Sequence, residues 1–345
     1  MNQTVETATP DIKSIVQSIL AGIEREREQE IISRRFGLSD RKETLEQIGD
    51  LLGITRERVR QLEKAILTRL KTAAEDGRLE IEDVERYLVR ELHEMGRAAR
   101  LSDLTDRVKP GATDRDRSHV AFVAELAPRL SVLSENDSYH HGVALSEHHD
   151  EKQLKKRVDQ VVRTVKEHGT TLTADELHGK LDYDHPDHVR ALASLSKNLA
   201  SLKDVWGLTK WPTVNPKNIR DKIYVILQET GKPMHFSEIA TSIKDSDFKR
   251  KDVTTQAIHN ELIKDKRFVL IGRGIYALNE WGYKKGTVAD IITDVLKKAG
   301  EPLHRDEIVK RVLKDRQVKE TTILLNLQSK PEFKRVAKAT YSLAE

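Results

Sequence analysis

Cysteine is absent from all 345 residues, which removes disulfides, thiolate metal sites and cysteine nucleophiles together. Aromatic residues are scarce at 5%, and hydrophobic residues (37%) barely outnumber charged ones (34%). That composition describes small, highly solvated domains with modest cores rather than one large enzyme core. No apolar run approaches the ~20 residues a membrane helix needs. The opening MNQTVETATPDIK has neither the basic start nor the apolar centre of a secretory signal. A cytoplasmic protein with no membrane contact is therefore expected. No GKS or GKT phosphate loop and no Gly-x-Ser-x-Gly nucleophile elbow occurs, so neither an enzyme nor a cofactor is expected. Charge of one sign is also lacking: 60 Lys and Arg against 56 Asp and Glu leave +4. Affinity for nucleic acid must come from local patches.

Histidine pairs supply metal-ligand types at His140-His141, His148-His149-Asp150 and along Asp182–His188. The last reads more simply as a helix start, with Pro186 at the first helical position and acids in the first turn. Without cysteine, and without a helix bearing a spaced His pair beside a carboxylate, no metal site is expected.

What the chain does have is concentrated in Thr44–Lys71, TLEQIGDLLGITRERVRQLEKAILTRLK. Thr44 with Gln47 makes a capping box, and Leu45, Ile48, Leu51 and Leu52 repeat at helical spacing as a buried stripe. Gly53 ends that helix and Thr55 caps the next. There Val59, Leu62, Ala65 and Ile66 are expected to face inward, leaving Arg56, Glu57, Arg60 and Gln61 on the opposite side. This is a helix-turn-helix, whose second helix presents its N-terminal side chains to base edges in the major groove.

TRERVRQLE, with Arg34–Leu38 (RRFGL) upstream and TLEQIGDLLG between, resembles region 4 of the sigma-70 family over roughly residues 12–72. The resemblance implies recognition of the upstream promoter hexamer in double-stranded DNA, and docking on the β flap of bacterial RNA polymerase. Arg56, Glu57, Arg60 and Gln61 match the family's base-facing positions. Arginine can pair with guanine O6 and N7, and glutamate can accept from cytosine N4, each good pairing being worth about 1–3 kcal/mol of discrimination. Arg58, Lys64, Arg69 and Lys71 fit phosphate contacts, which anchor without specifying sequence. Thr44 and Thr55 are grouped with them, because backbone N–H groups at a capped helix start can meet a phosphate.

At this length several domains are expected, and beyond Asp76-Gly77 the chain repeats itself. Gly231–Ile243 (GKPMHFSEIATSI) and Gly300–Val312 (GEPLHRDEIVKRV) share Gly, Pro, His, Glu and Ile in register. Phe268–Leu278 and Phe333–Leu343 share Phe, Tyr and Leu, and weaker copies start at Gly169 and Gly96. Each copy reads as a first helix, a short extended crossing, two further helices and a β-hairpin. The hairpin is clearest in Phe268–Leu278, with Gly272 and Gly274 as its turn. First helices are expected at Ile81–Met95, Leu154–His168, Ile219–Glu229 and Val288–Ala299. Third helices are expected near Ser118–Leu126, Pro186–Ser196, Thr254–Lys264 and Thr321–Gln328.

The expected fold is thus mainly α: a helix-turn-helix module (1–76), then four tandem winged helices with short β-hairpin wings (77–150, 151–214, 215–285, 286–345). Residues 1–10 are polar and lack a helical pattern. The last two copies resemble the HARE-HTH family, also found in the δ subunit of bacterial RNA polymerase. The residues that carry this are Gly231-Lys-Pro-Met-His235, Glu238-Ile239 and Arg267-Phe268 with Gly272-Arg273-Gly274, Tyr276 and Leu278. The final copy has Ala337-Lys338-Ala339 in place of Gly-Arg-Gly.

In the third copy Lys264, Lys266, Arg267 and Arg273 form a candidate DNA-backbone grip, diluted by Glu261, Asp265 and Asp245-Ser-Asp247. The third helices of the first two copies are not basic, and read as protein-docking or spacer elements. Strand melting in the sigma family depends on an aromatic-rich helical region with no counterpart in this sequence. The chain is therefore expected to be an accessory initiation or regulatory factor rather than a complete sigma factor. A DNA-associated scaffold, or a reader of modified DNA whose winged helices bind proteins, fits the same body.

Overall fold

The computed structural model describes residues 10–248 and 252–344. Most of the polar opening stretch, residues 1–9, lies outside the described residues. The described chain is mainly helical with four small antiparallel sheets. It forms two compact units that divide between Lys210 and Trp211.

The first unit opens with α1 (Ile12–Ala21), α2 (Glu26–Phe36), α3 (Leu45–Leu52) and α4 (Arg56–Glu75). Local chemistry sets the ends of α3. The Gln47 backbone N–H donates to Thr44 Oγ1 (3.2 Å), and the Thr44 N–H donates to Gln47 Oε1 (2.9 Å). Gly53 closes the helix in the left-handed region, where glycine meets no Cβ penalty. Within α3, Gly49 is required by close approach: a Cβ there would stand 2.6 Å from the carbonyl oxygen of Ile54 in the turn.

The same order of elements then occurs twice in this unit. The first repeat comprises α5 (Glu82–Glu94), β1 (Ala98–Arg100), α6 (Leu101–Val108), α7 (Asp114–Leu126), β2 (Leu130–Leu133) and β3 (Gly142–Leu145). The second comprises α8 (Glu151–His168), β4 (Leu172–Thr173), α9 (Ala174–His178), α10 (Pro186–Leu195), β5 (Leu199–Leu202) and β6 (Val205–Leu208).

The second unit carries two further copies. The first comprises α11 (Ile219–Thr230), β7 (Met234–His235), α12 (Phe236–Asp245), α13 (Thr255–Lys264), β8 (Phe268–Gly272) and β9 (Ile275–Leu278). The last comprises α14 (Val288–Ala299), β10 (Leu303–His304), α15 (Arg305–Asp315), α16 (Glu320–Ser329), β11 (Phe333–Ala337) and β12 (Thr340–Leu343).

In every copy the last strand lies between the other two, all antiparallel. The extended crossing between the first two helices is therefore a strand that completes a three-stranded sheet. A two-stranded hairpin alone would be marginal in water. The crossing strand adds backbone pairing and buries Leu172, Met234 or Leu303.

At the hairpin turn of the third copy only Gly274 takes positive φ, +71°. Gly272 serves another need: a Cβ there would lie 2.6 Å from the Gln317 carbonyl oxygen. The edge of β8 accepts from the α15–α16 loop, through Gln317 N–H to Ile271 O (3.1 Å) and Arg316 to Leu270 O. In the last copy Ala339 holds the Gly274 position, at φ +56°. Its carbonyl accepts from the Arg305 N–H (2.8 Å), as the Gly274 carbonyl does from Phe236 (3.0 Å).

One apolar core runs through the helix-turn-helix segment and the first repeat without a break at residue 76. It includes Ile12, Val16, Ile19, Ile32, Ile66 and Leu70, together with Leu88, Leu104, Phe122 and Leu145. Helix α7 stands at its centre. Phe122 meets Phe36 edge-on with centroids 5.0 Å apart, and the buried His119 Nε2 lies 3.1 Å from the Leu38 carbonyl. Lys71 pairs with Glu125 at 2.6 Å.

Helix α10 is placed similarly, against the first repeat's sheet. His140 N–H donates to Leu195 O and Lys197 N–H to Ser138 O, both at 2.9 Å. Arg97 pairs with Asp184 at 2.7 Å. Both third helices of this unit are thereby covered.

Candidate nucleic-acid interface

A small apolar knot, Ile31, Ile48 and Val59 with Leu45, Leu52, Ile54 and Leu62 around it, fixes the angle between α3 and α4. Two positions expected inside are outside: Leu51 is 54% exposed and Ala65 is exposed. The cause is angular. At 3.6 residues per turn Leu51 stands about 110° from the middle of the arc formed by Leu45, Ile48, Gly49 and Leu52. Ala65 is displaced similarly from the arc of Val59, Ile66 and Leu70, whose partners are on the α2 and α7 side.

The free face of α4 carries Glu57, Arg60, Gln61 and Lys64, all exposed, with Arg56 and Arg58 at its edges. The first three are linked before any ligand arrives. Arg60 gives a two-pronged pair to Glu57, Nη2 to Oε1 at 2.7 Å and Nε to Oε2 at 2.8 Å. Gln61 Nε2 donates to the same carboxylate (3.3 Å), and Arg58 donates to Gln61 Oε1 (3.4 Å). The Arg60 hydrogen bond holds the Glu57 carboxyl below its ordinary value, and Glu57 raises Arg60. Thr55 caps the helix by accepting from the Arg58 N–H (3.2 Å). Thr44 caps α3.

Other cations are committed inside the protein. Arg69 pairs with Glu28 of α2 at 2.6 Å, and the Arg69 hydrogen bond is the largest cause of a lowered Glu28 carboxyl. Lys71 belongs to the α7 contact. Arg34 pairs with Glu43 (2.7 Å), and Arg35 reaches Glu63 (3.1 Å) and the Glu43 carbonyl (2.8 Å). These arginines brace α2 against the start of α3 and the middle of α4.

In the second unit Lys264, Lys266 and Arg273 are exposed. Arg267 is half-buried, bound to Asp265 (2.8 Å) and Asp221 (3.1 Å) with Tyr224 beneath its guanidinium. Helix α13 additionally exposes Gln256 and Asn260, joined at 3.0 Å, which the charge pattern did not single out. Among the described residues no group of three or more His, Asp or Glu side chains is placed to hold a metal, and no helix is long and apolar enough to cross a membrane.

Residues 25–72 match the family described as sigma-70, region 4. They form a region 4 segment. The match begins with α2, so α1 lies outside it. RNA polymerase sigma factor SigA of Bacillus sp is 46% identical over 55 residues, which is 16% of this chain and 15% of that protein. RNA polymerase sigma factor sigB of Arabidopsis thaliana is 41% identical over 64 residues, 18% of this chain and 10% of that protein. RNA polymerase sigma factor RpoD of Helicobacter pylori (strain ATCC 700392 / 26695) is 44% identical over 64 residues, 18% of this chain and 9% of that protein. The chain thus spans a small fraction of each relative. The region 4 segment accounts for α2–α4 and leaves the repeats to their own physics.

Proposed function

We propose that this chain is a DNA-binding transcription factor that meets promoter DNA and RNA polymerase through its region 4 segment, as an accessory or regulatory factor rather than a complete sigma factor. The observation that carries this is the free face of α4. Glu57, Arg60 and Gln61 stand exposed and mutually oriented at the start of a capped helix. A guanidinium already aligned by a carboxylate loses less freedom on pairing with guanine. Leu51, exposed beside the half-buried Leu52 and Ile54, gives an apolar surface for the polymerase β flap. Such a factor acts on the nucleoid, as a binding protein and not an enzyme.

The four repeats are tandem winged helices in this proposal, the last two of the HARE-HTH kind. Their element order and the central last strand support it, as does the shared contact from the hairpin turn to the second helix. The five domains would begin near residues 1, 77, 151, 215 and 286. With α7 and α10 covered, α13 and α16 are the third helices left to meet DNA or protein. The pair Gln256 and Asn260, on the same helix as Lys264, favours a second reading: a DNA-associated scaffold or modified-DNA reader. Such amides match adenine edges.

Co-purification with core polymerase, followed by initiation in vitro, tests the first reading. Retention on core polymerase without open-complex formation by the two alone is the expected result. Robust promoter opening would contradict the accessory role, and no association with polymerase would favour the scaffold.

A further inference from the structure

A cleft of about 600 Å³ opens along α8, between that helix and the His148-His149 turn. Gln153, Lys156, Gln160 and Arg163 line it at steps of three and four residues, a stripe about 15 Å long at 1.5 Å per residue. Arg157 completes the wall, its guanidinium 5.0 Å from the centre of the Tyr183 ring. No carboxylate lines the cleft, and Lys156, Arg157 and Arg163 form no ion pair among the described residues. Lys155, around the helix, is the lysine that pairs with Glu151 (2.9 Å).

Glu167, one turn beyond Arg163, is exposed and does not line the cleft; four other nearby acids are engaged elsewhere. Asp150 caps α8 through the Gln153 N–H (2.7 Å), and Asp184 pairs with Arg97 (2.7 Å). Glu147 lies 3.2 Å from His148, and Asp159 accepts from the Tyr139 hydroxyl (2.7 Å). Burial, then the positive field of Arg157, His148, Arg97 and His188, pushes His149 down to about 4, so its ring is neutral at pH 7.

We infer that this face of α8 binds the phosphodiester backbone of duplex DNA. Lysine, arginine and glutamine side chains are the groups that meet phosphate oxygens without reading bases. A lipid surface is disfavoured, because membrane-surface binding uses an apolar face as well as charge. Large exposed apolar side chains occur at Leu51 and in the second unit, but not among the described residues of 77–210. A mononucleotide is disfavoured as well, since the Tyr183 ring that would stack on a base is occupied by Arg157. In these two repeats the third helices are buried, so the first helix of the second repeat supplies the contact instead. The inference rests on the proposed DNA binding of α4 and adds a second surface to it.

The test is salt-dependent binding of the full chain to a duplex enriched by selection and to a scrambled duplex, read by fluorescence anisotropy. K156Q/R163Q, checked by circular dichroism for an unchanged fold, should weaken both duplexes alike. It should reduce the slope of log K against log salt by about 2, near 0.9 for each lost phosphate contact. An unchanged slope and affinity overturn the inference. So does a K156Q/R163Q defect confined to vesicles of mixed neutral and anionic phospholipid. If K156Q/R163Q lowers the slope while R56A/R60A leaves base preference intact, the α8 surface stands and the α4 reading falls. Failure of the wild type to bind either duplex overturns both.

Discussion

Phe122→Ala is the most informative perturbation of the architecture. Phe122 is fully buried and joins α7 to the region 4 segment through Phe36. Deleting a buried phenyl ring costs about 3–5 kcal/mol, of which the edge-to-face pair contributes roughly 0.5–1.5 kcal/mol. Because one core spans α1 to β3, the loss should appear on both sides of residue 76. Trp206, Trp211 and Trp281 all lie beyond this core, so fluorescence would miss it. Hydrogen exchange read by mass spectrometry resolves it peptide by peptide. Protection in α1 and α4 should fall together with that in α5 and α7, by about 10²- to 10⁴-fold if opening is cooperative. Loss confined to residues 82–126, with α1 and α4 unchanged, would show that the segment before residue 76 is independently stable and refute the shared core.

Gly49→Ala sets a Cβ against the Ile54 carbonyl and should lower stability by about 1–3 kcal/mol, seen as a lower urea midpoint and weaker DNA binding. Glu28, its carboxyl held low chiefly by Arg69, contributes stability that is full above its ordinary value of 4.5. That contribution is lost as pH falls through the lower folded value. Glu28→Gln should therefore be less stable than wild type at neutral pH and converge with it in acid. Arg267→Ala strands Asp221 and Asp265 and should lower the melting point reported by Trp281 fluorescence. Arg273→Ala should leave melting unchanged and, if the wing touches DNA, reduce the salt slope by about 1.

Capping residues made much of the fold legible. Thr44 with Gln47, Gly53, and the glycines after the first helices each act locally, so sequence spacing alone places them. The hairpins and their repeat were legible for the same reason. What the sequence hid depends on distant partners. Leu51 and Ala65 obey helical spacing but fall just outside an arc whose width is set by Gly49 and by α2. The run Val120–Ala124, five apolar residues in succession, signals a buried helix, yet only the fold shows that α2 and α4 bury it. Arg69 and Lys71 carry the charge of phosphate contacts but sit beside Glu28 and Glu125. The α8 cleft was divided in the sequence between a histidine pair and an unremarkable charged helix.

Base reading by α4 is tested most directly by competing the selection-enriched duplex against its scrambled counterpart, for wild type and for R56A/R60A. Each good pairing contributes about 1–3 kcal/mol of discrimination, so the double substitution should lower the preference at least tenfold while leaving affinity for the scrambled duplex less affected. Equal weakening on both duplexes would make the two arginines backbone anchors and leave α4 without a reading face.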